Sequence, residues 1–286
     1  MSGCYTLGEI YRKGAKFLED AGVEDAAFDS LCLMEHFFSV NRTDLIMNGS
    51  IAADASKCED FLSAAAERAG GKPLQYILGM WSFMGFDFYV GEGVLIPRDD
   101  TEVAAELALD YLNGLKNPKI IDLCSGSGAI AIAIAKNFPD SEVTALELSD
   151  TAIEYLYRNI KLNEADNVTV IRGDVTAASS CFLDGEFDLI ISNPPYIQSD
   201  EIDILQIELQ YEPRMALDGG ADGLYFYRII TEKWASKVKK GGMLVYEVGE
   251  EQYEPVSEML KANGFENVSY RLDLQGYKRT VSGIKG

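Results

Sequence analysis

The first third of the chain repeats apolar residues with the period of an α-helix. Near its start they recur about every 3.6 positions, and the ranges 23–38 and 53–71 continue the same pattern. The apolar residues of the first stretch are Leu7, Ile10, Tyr11 and Phe17. The last stretch ends on Gly70-Gly71, a typical helix stop. The pattern predicts a helical N-terminal domain over residues 1–72.

The pattern changes at Pro73. The stretch "PLQYILGMWSFMGFDFYVGEGVLIP" is rich in aromatic residues, alternates in polarity and is interrupted by glycines. This composition predicts a β-hairpin linker over residues 73–98. A helix is predicted to follow near Asp99, because acidic residues in a first turn complement the helix dipole. Residues 99–286 are predicted to form the second domain.

From residue 118 onward, short apolar runs alternate with helical patterns. The runs "KIIDLC", "EVTALEL", "NVTVIRGD", "FDLIIS" and "GMLVYEVG" predict five strands. Ser149 is placed to cap the helix after the second run. Residues 267–286 predict a closing antiparallel pair joined at Gly276. The order predicts an α/β fold with a doubly wound, seven-stranded, mostly parallel sheet, and such sheets bind ligands beyond the carboxyl ends of their strands.

Charge narrows the choice of partners. The 286 residues include 25 Lys and Arg against 46 Asp and Glu, which gives a net charge of −21. Such a charge repels a phosphate backbone, so a direct nucleic-acid partner is not expected. No apolar run approaches the roughly 20 residues that span a bilayer. The first residues lack a signal-peptide core. We therefore expect a cytoplasmic protein without a membrane partner. The sequence does not determine the oligomeric state, and a monomer is the favoured interpretation.

The cysteines and the histidine carry little recognisable chemistry. The five cysteines are Cys4, Cys32, Cys58, Cys124 and Cys181. Their odd number, wide spacing and lack of a C-x-x-C pair favour reduced thiols over disulfides or a structural zinc site. The single histidine, His36, lies in a predicted helix and is interpreted as an ordinary helix residue. We expect no metal site.

A glycine turn follows the first predicted strand. Gly126 and Gly128 open a helix, and Glu147 ends the next strand nineteen residues later. Backbone amides at such a helix start bind ligands closely, and a carboxylate at this spacing accepts hydrogen bonds from ribose hydroxyls. Asp174 ends the third strand, where it could accept from a purine amino group. This arrangement predicts a nucleoside site, and by itself it fits both NAD and S-adenosylmethionine.

The sequence Asn193-Pro194-Pro195-Tyr196 ends the fourth predicted strand. Methyl transfer to a planar nitrogen requires acceptors for both N–H bonds and a fixed line of approach to the methyl carbon. The Asn193 side-chain oxygen and the Pro194 carbonyl can accept those bonds. Tyr196 can pack on the flat amide, while the prolines fix the backbone. The tetrapeptide therefore favours methyl transfer over hydride transfer.

Several stretches together resemble one family. "IIDLCSGSGAIAIA" and "SNPPYI" resemble class I S-adenosylmethionine-dependent methyltransferases that modify amino groups. "GGKPLQYILGMWSFMGFDFYVGEGVLIPRDDTE", "YEPRMALDGGADGLYFYR" and "YEVGEEQ" narrow the resemblance to the protein-(glutamine-N5) methyltransferases. These enzymes methylate the Gly-Gly-Gln glutamine of peptide chain release factors. The resemblance covers roughly residues 65–286 by motif.

The resemblance implies a role for each site residue. The cofactor's methionine part would be bound by Cys124, Ser125, Gly126, Ser127 and Gly128. Glu147 would hold the ribose, and Asp174 and Val175 would flank the adenine. Asn193, Pro194, Pro195 and Tyr196 would hold the substrate glutamine, with Asn193 also bordering the cofactor. The helical domain would dock the release factor.

Three positions depart from the family pattern. Cys124 stands where many members have glycine, and a cysteine is tolerated there if φ is negative. Asp99-Asp100 replaces the usual Pro-Glu after Pro97-Arg98. Glu147 replaces a common aspartate and keeps the carboxylate. Arg98 is interpreted either as a cofactor or substrate contact or as a local ion pair with the acidic helix start.

Other functions share parts of this pattern. A glutamine methyltransferase acting on a ribosomal protein would use the same chemistry. A nucleic-acid adenine-N6 methyltransferase would use the same tetrapeptide, but it must bind phosphates against the net charge. An NAD-dependent oxidoreductase or a nucleotide-sensing module explains the glycine turn and Glu147 but not the tetrapeptide.

Overall fold

The computed structural model describes residues 5–177 and 186–286. These residues form two compact units. The first unit contains the described residues up to Gly79 together with Gln206–Tyr211. The second unit contains Met80–Leu205, as far as it is described, and Glu212–Gly286. The segment Gln206–Tyr211 therefore belongs to the helical unit, although it lies within the sequence range 99–286.

The first unit is helical. Its helices are α1 (Leu7–Asp20), α2 (Ala26–Phe38), α3 (Arg42–Asn48), α4 (Ala55–Ala69) and α5 (Leu74–Leu78). Helices α1, α2 and α4 carry the apolar faces that the period predicts, and they bury Ile10, Leu18, Leu33, Met34 and Phe61. Gly14 of α1 allows this packing, because a Cβ there would lie 2.5 Å from the Phe61 ring.

Two helices of this unit were not expected. Helix α3 buries none of its residues, so it has no apolar period to detect. A capping box specifies it instead, in which Asn41 and Asp44 each bond the other's backbone N–H. Helix α5 lies within the predicted hairpin linker, between Pro73 at its N-cap and Gly79 in the left-handed conformation at its C-cap.

A buried arginine connects three parts of the first unit. Arg68 Nε donates to Asp29 Oδ2 over 2.6 Å, and Nη2 donates to Glu208 Oε1 over 2.6 Å. Arg68 and Asp29 are both buried. Burial raises the Asp29 pKa, and the Arg68 hydrogen bond and charge act in the opposite direction. Arg68 thus holds the segment Gln206–Tyr211 against helices α2 and α4.

The second unit begins with a hairpin and continues as an alternating α/β unit. Its strands are β1 (Met80–Phe83), β2 (Phe86–Tyr89), β3 (Lys119–Leu123), β4 (Glu142–Glu147), β5 (Val168–Arg172), β6 (Phe187–Ser192), β7 (Val238–Glu247), β8 (Phe265–Ser269) and β9 (Thr280–Lys285). Its helices are α6 (Asp99–Leu112), α7 (Ala129–Asn137), α8 (Asp150–Asn163), α9 (Tyr225–Trp234) and α10 (Tyr253–Ala262). The main sheet has the order β5-β4-β3-β6-β7-β9-β8.

Strand directions agree with the predicted topology. Strands β3, β4, β5, β6 and β7 are parallel, and β9 runs antiparallel to both β7 and β8. Strand β6, which ends in the tetrapeptide, pairs directly with β3, which ends in the glycine turn. The two features therefore lie side by side at the point where the strand order of the sheet reverses, as expected. The predicted fold class is confirmed.

The central strands bury both faces, which explains their continuous apolar sequences. On β6, Leu189 and Ile191 face one cluster, while Ile190 faces the other. Helices α6, α7 and α8 cover the first face, with Leu112, Ile130, Ile134 and Leu156 among the packed residues. Helices α9 and α10 cover the second face with Tyr227, Ile230, Trp234, Val256 and Leu260. Such burial leaves the strand ends as the place for polar chemistry.

The remaining expectations concern membrane spans, metal ligands, the cysteines and the histidine. Within residues 5–177 and 186–286, no helix has the length and hydrophobicity needed to cross a membrane. The same residues contain no cluster of three or more His, Cys, Asp or Glu arranged to hold a metal ion. Cys32, Cys58 and Cys124 are reduced cysteines, whereas Cys4 and Cys181 lie outside the described residues. His36 is an exposed residue of α2.

Candidate active site

A pocket of about 280 Å³ opens at the carboxyl ends of the parallel strands in the second unit. We call it the strand-end pocket. Predicted residues from four strand ends line it: Cys124, Ser125, Gly126, Ser127, Glu147, Asp174, Val175, Asn193 and Pro195. Among the described residues, Gly128, Pro194 and Tyr196 are predicted site residues that do not line it. The structure therefore brings the expected cofactor residues other than Gly128, including Asn193, to one cavity together with Pro195.

The glycine turn after β3 is built from left-handed backbone. Gly126 has φ 56° and Gly128 has φ 84°, a region that favours glycine. The two glycines serve different purposes. A Cβ on Gly126 would meet no atom within 4 Å, whereas a Cβ on Gly128 would lie 2.2 Å from Leu156 Cδ1. Gly126 therefore keeps the turn open toward the pocket, and Gly128 lets α8 pack closely behind it.

The condition of a negative φ at Cys124 is not met. Cys124 has φ 61°, so the residue that replaces the usual glycine still adopts the left-handed conformation. This conformation costs a non-glycine residue about 1–2 kcal/mol. Desolvation raises the pKa of the Cys124 thiol, which favours its protonated form.

A side-chain hydrogen bond between Ser125 and Asp122 stabilises this turn. Ser125 Oγ donates to Asp122 Oδ2 over 2.6 Å. Burial raises the pKa of Asp122 to about 7, and the hydrogen bonds from Ser125 and from the Ala131 backbone partly offset this. Asp122 was not predicted as a site residue, since an aspartate inside a buried strand gave no signal except its polarity.

Glu147 shapes the turn that it was expected to serve. Its Oε2 accepts the backbone N–H of Gly126 over 2.8 Å. Its Oε1 accepts the backbone N–H groups of Leu148 and Ser149, each over 2.8 Å. Three of the roughly four lone pairs of the carboxylate are therefore used, so a ligand hydroxyl finds about one acceptor site. Ser149 caps α8 through a bond from Ala152 N, as predicted.

Asp174 and Val175 follow β5 on the next strand end. Asp174 Oδ1 accepts from the Thr176 backbone N–H and from its hydroxyl, both over 2.7 Å. Val175 is buried, and its carbonyl accepts from the Trp234 indole over 3.1 Å. These bonds fix the backbone of both residues beside the pocket. Their polar and apolar surfaces suit the amino edge and the face of a purine ring.

The tetrapeptide at the end of β6 is fixed by bonds on several sides. Asn193 Nδ2 donates to Thr101 Oγ1 over 3.2 Å. Tyr196 Oη donates to Glu247 Oε1 over 3.2 Å, and the Tyr196 carbonyl accepts from Gln252 Nε2 over 2.9 Å. Pro194 and Pro195 are buried. Tyr196 thus points its hydroxyl at β7, while Asn193 and Pro195 face the pocket.

The loop "YEPRMALDGG" runs beside the tetrapeptide. Ile197 N donates to the Leu217 carbonyl over 2.9 Å, and Gly219 N donates to the Ile197 carbonyl over 2.7 Å. A Cβ on Gly219 would lie 2.6 Å from the Tyr196 Cα, so only glycine fits this approach. The same loop contributes Pro213, Met215 and Ala216 to the pocket lining. It is therefore part of the site and not merely a surface connection.

Arg98 pairs with a residue of this loop. Its guanidinium bonds Glu212, whose other oxygen accepts the Ile96 backbone N–H over 2.9 Å. Glu212 is buried. The interpretation of Arg98 as a local pair with Asp99-Asp100 is wrong, because the partner is 114 positions away. Asp100 instead lies 3.3 Å from Arg279 Nη2.

Thr101 and Glu247 are the site residues that sequence reasoning missed or set aside. Thr101 lines the pocket and is buried on the first turn of α6. Glu247 is buried at the end of β7. Burial raises the Glu247 pKa to about 7, while Thr101, Arg279 and Tyr196 partly offset this rise. A carboxylate ending an apolar strand was the available signal for Glu247.

Comparison with known protein families gives two matches. Residues 9–79 match the PrmC N-terminal domain, and residues 88–214 match the methyltransferase small domain. A methyltransferase of known structure from Pyrococcus furiosus is similar with a TM-score of 0.52 and 18% identity, covering 82% of this chain and 100% of that one. At this identity the similarity shows the fold. The fold, the pocket and the small-domain match define a class I methyltransferase.

Curated relatives narrow the class. The release factor glutamine methyltransferase of Geobacter sulfurreducens is 38% identical, over 99% of this chain and 98% of the relative. That of Fusobacterium nucleatum is 36% identical, over 97% of this chain and 78% of the relative. The chain belongs to the release factor glutamine methyltransferase family. It is therefore an enzyme, and the family resemblance drawn from its motifs is confirmed.

Proposed function

We propose that this enzyme transfers a methyl group from S-adenosylmethionine to the side-chain amide nitrogen of the glutamine in the Gly-Gly-Gln motif of a peptide chain release factor. Family membership supports the substrate class. The observation that carries the site assignment is that Asn193 and Pro195 line the same pocket as Glu147 and Asp174.

The residues of the pocket fit this cofactor. The space above Gly126 is open, and the Gly126 turn offers close backbone contact for an amino-acid moiety. Glu147 can accept from ribose, and Asp174 with Val175 can flank a purine. The sulfonium group supplies an electrophilic methyl carbon when the cofactor is bound. Cys124, Ser125 and Ser127 complete the wall around the methionine part.

Asn193 and the prolines would act on the substrate amide. The amide lone pair is delocalised, so the amide must be held and aimed before it reacts. The Asn193 side-chain oxygen and the Pro194 carbonyl would accept its two N–H bonds, and Pro195 would fix the direction of that carbonyl. The nitrogen gains a methyl group and loses one proton. That proton becomes acidic as the new bond forms, so no histidine base is required.

The helical unit would recognise the release factor. The net charge of −21 suits a basic protein surface and disfavours a nucleic acid. A glutamine methyltransferase acting on a ribosomal protein would share the same pocket chemistry. The comparisons favour the release factor, because the curated relatives are named for that substrate.

The decisive experiment supplies methyl-labelled cofactor to the enzyme with four substrates. These are a release factor, its Gln-to-Ala loop variant, a ribosomal protein mixture and adenine-containing DNA. We expect label on the intact release factor and none on the other three. Label on ribosomal protein or DNA would overturn the substrate, and binding of NAD in place of S-adenosylmethionine in calorimetry would overturn the cofactor.

A further inference from the structure

Glu247 lies where two side chains of the tetrapeptide region converge. Tyr196 Oη donates to its Oε1 over 3.2 Å. Thr101 also lowers the pKa of this carboxylate, which burial raises. Thr101 Oγ1 in turn accepts from Asn193 Nδ2 over 3.2 Å. Asn193 and Tyr196 are therefore each bonded to a buried residue outside the Asn-Pro-Pro-Tyr sequence, Asn193 to Thr101 and Tyr196 to Glu247.

The chemistry of the groups explains the direction of the Asn193–Thr101 bond. The negative charge of ionised Glu247 favours a Thr101 hydroxyl hydrogen turned toward the carboxylate. The Thr101 oxygen then has only lone pairs left for Asn193. Asn193 must present its NH2 group to Thr101, and its side-chain oxygen faces the opposite way. That oxygen is the acceptor that a substrate amide N–H requires.

Fold stability alone does not explain why Thr101 and Glu247 are polar residues. Glu247 has 1% exposure, and its Oε2 has no hydrogen-bond partner among the described residues. A buried carboxylate with incomplete hydrogen bonding is costly, and an apolar residue at such a position usually stabilises a fold better. Thr101 is 4% exposed, and a valine, which has nearly the same size and shape, would fill the same space. We therefore attribute the polarity of Thr101 and Glu247 to their hydrogen bonds with the tetrapeptide.

We propose that Thr101 and Glu247 are positioning residues of the methyl transfer reaction, which orient the Asn193 amide with its oxygen toward the substrate and hold the Tyr196 phenol. Neither residue needs to contact the reacting nitrogen. This inference rests on the proposed function of Asn193. It explains why the Asn193 amide directs its NH2 group toward Thr101 and its oxygen toward the substrate, and not the reverse.

Thr101 offers a matched pair of variants. Thr101→Val keeps the shape and removes the hydroxyl, whereas Thr101→Ser keeps the hydroxyl and removes a methyl group. We expect Thr101→Val to lower kcat by roughly 10²-fold, the size of effect that misplacing a substrate produces. Its dissociation constant for S-adenosylmethionine and its KM for the release factor should change little. Thr101→Ser should retain most of the wild-type kcat.

Glu247→Gln and Tyr196→Phe separate the two branches. Glu247→Gln removes the negative charge and replaces one acceptor oxygen with an NH2 donor, so kcat should fall as in Thr101→Val. Tyr196→Phe removes the phenol and leaves the Asn193 branch intact, so its loss should be smaller than that of Thr101→Val. Thermal unfolding confirms that each variant is folded before its kinetics are compared.

The outcomes distinguish this inference from the function on which it rests. Wild-type enzyme that does not label the release factor would overturn the proposed function itself. Wild-type labelling with equal kcat in Thr101→Val and Thr101→Ser would overturn the positioning role. A Thr101→Val variant that loses cofactor affinity as much as kcat would also overturn it, because a general structural role would then explain the effect.

Discussion

Gly126 donates its backbone N–H to Glu147 Oε2 over 2.8 Å, so the turn after β3 and the carboxylate ending β4 form one structural unit. The carboxylate holds the turn in its left-handed shape and retains an acceptor site toward the pocket. Cofactor affinity should therefore depend on Glu147 in two ways, through direct contact and through the shape of the turn.

Replacing Glu147 tests this dependence. We expect Glu147→Ala to weaken S-adenosylmethionine binding by about 1.5–3 kcal/mol, the range of a charge-assisted hydrogen bond. Calorimetric titration of the cofactor measures it directly. Glu142→Ala is the matched control, since Glu142 begins the same strand and its side chain is 69% exposed. Equal affinity in the two variants would contradict the assignment of Glu147.

Asn193→Ala should separate binding from catalysis. Asn193 is proposed to act on the acceptor amide, so cofactor affinity should be nearly unchanged while kcat falls by roughly 10²-fold or more, as when a transition-state hydrogen bond is removed. Steady-state methylation and cofactor titration on one preparation give both values. Gln198→Ala, an exposed position after the tetrapeptide, should behave as wild type. A parallel loss of cofactor affinity in Asn193→Ala would refute this role.

Gly128→Ala should destabilise the second unit through packing as well as backbone strain. Its φ is 84° and the added Cβ would lie 2.2 Å from Leu156 Cδ1. We expect about 1–2 kcal/mol from the left-handed conformation and about 1–3 kcal/mol from overpacking. Gly114→Ala is the control, because Gly114 has φ 92° and open space around it. Urea unfolding should show a clearly larger loss for Gly128→Ala, and equal losses would mean that Leu156 moves aside.

The buried Arg68–Asp29 pair should stabilise the helical unit only as a pair. Asp29→Ala leaves a buried guanidinium without its buried carboxylate partner, which we expect to cost about 3–5 kcal/mol of unfolding free energy. The double variant Asp29→Leu, Arg68→Met should recover much of that loss. Lys16→Ala, which breaks an exposed pair with Asp20, is the control and should have no measurable effect. A double variant as unstable as Asp29→Ala would contradict this account.

Glu247 should make stability and activity depend oppositely on pH. Burial raises its folded pKa from 4.5 to about 7, with Asp100 adding to the rise and Arg279 opposing it. The folded protein therefore keeps a proton that the unfolded chain has released in this range. The contribution of Glu247 to stability is full below the unfolded value and is lost as pH rises through about 7. The ionised form is the acceptor that Thr101 and Tyr196 require, so kcat should rise over the same range.

Unfolding and kcat measured between about pH 5 and pH 8 check both trends. Glu247→Gln should flatten the fall in stability and remove the rise in kcat. Asp122 has a pKa of about 7 for the same reason, so part of the stability slope should remain in Glu247→Gln and should disappear only when Asp122→Asn is added to it. A rise in kcat that survives Glu247→Gln would show that another group controls the rate.

The sequence alone determined the features that a short stretch of neighbouring residues encodes. Continuous apolar runs predicted strands buried on both faces, because each residue type reports its own environment. Gly126, Glu147 and the Asn193–Tyr196 tetrapeptide were recognisable because each stands at or directly after a strand end, and parallel strands bring their carboxyl ends to one edge. Fold class, family and the principal pocket residues followed from these signals.

Tertiary structure decided the contacts between distant residues. Thr101 bonds Asn193 across 92 positions, Arg98 bonds Glu212 across 114 and Arg68 bonds Glu208 across 140. No local pattern encodes such pairs, since a polar residue shows in the sequence only that it needs a partner. The left-handed backbone at Cys124 was likewise decided by the fold, because the tight turn after β3 overrides the preference of a single residue.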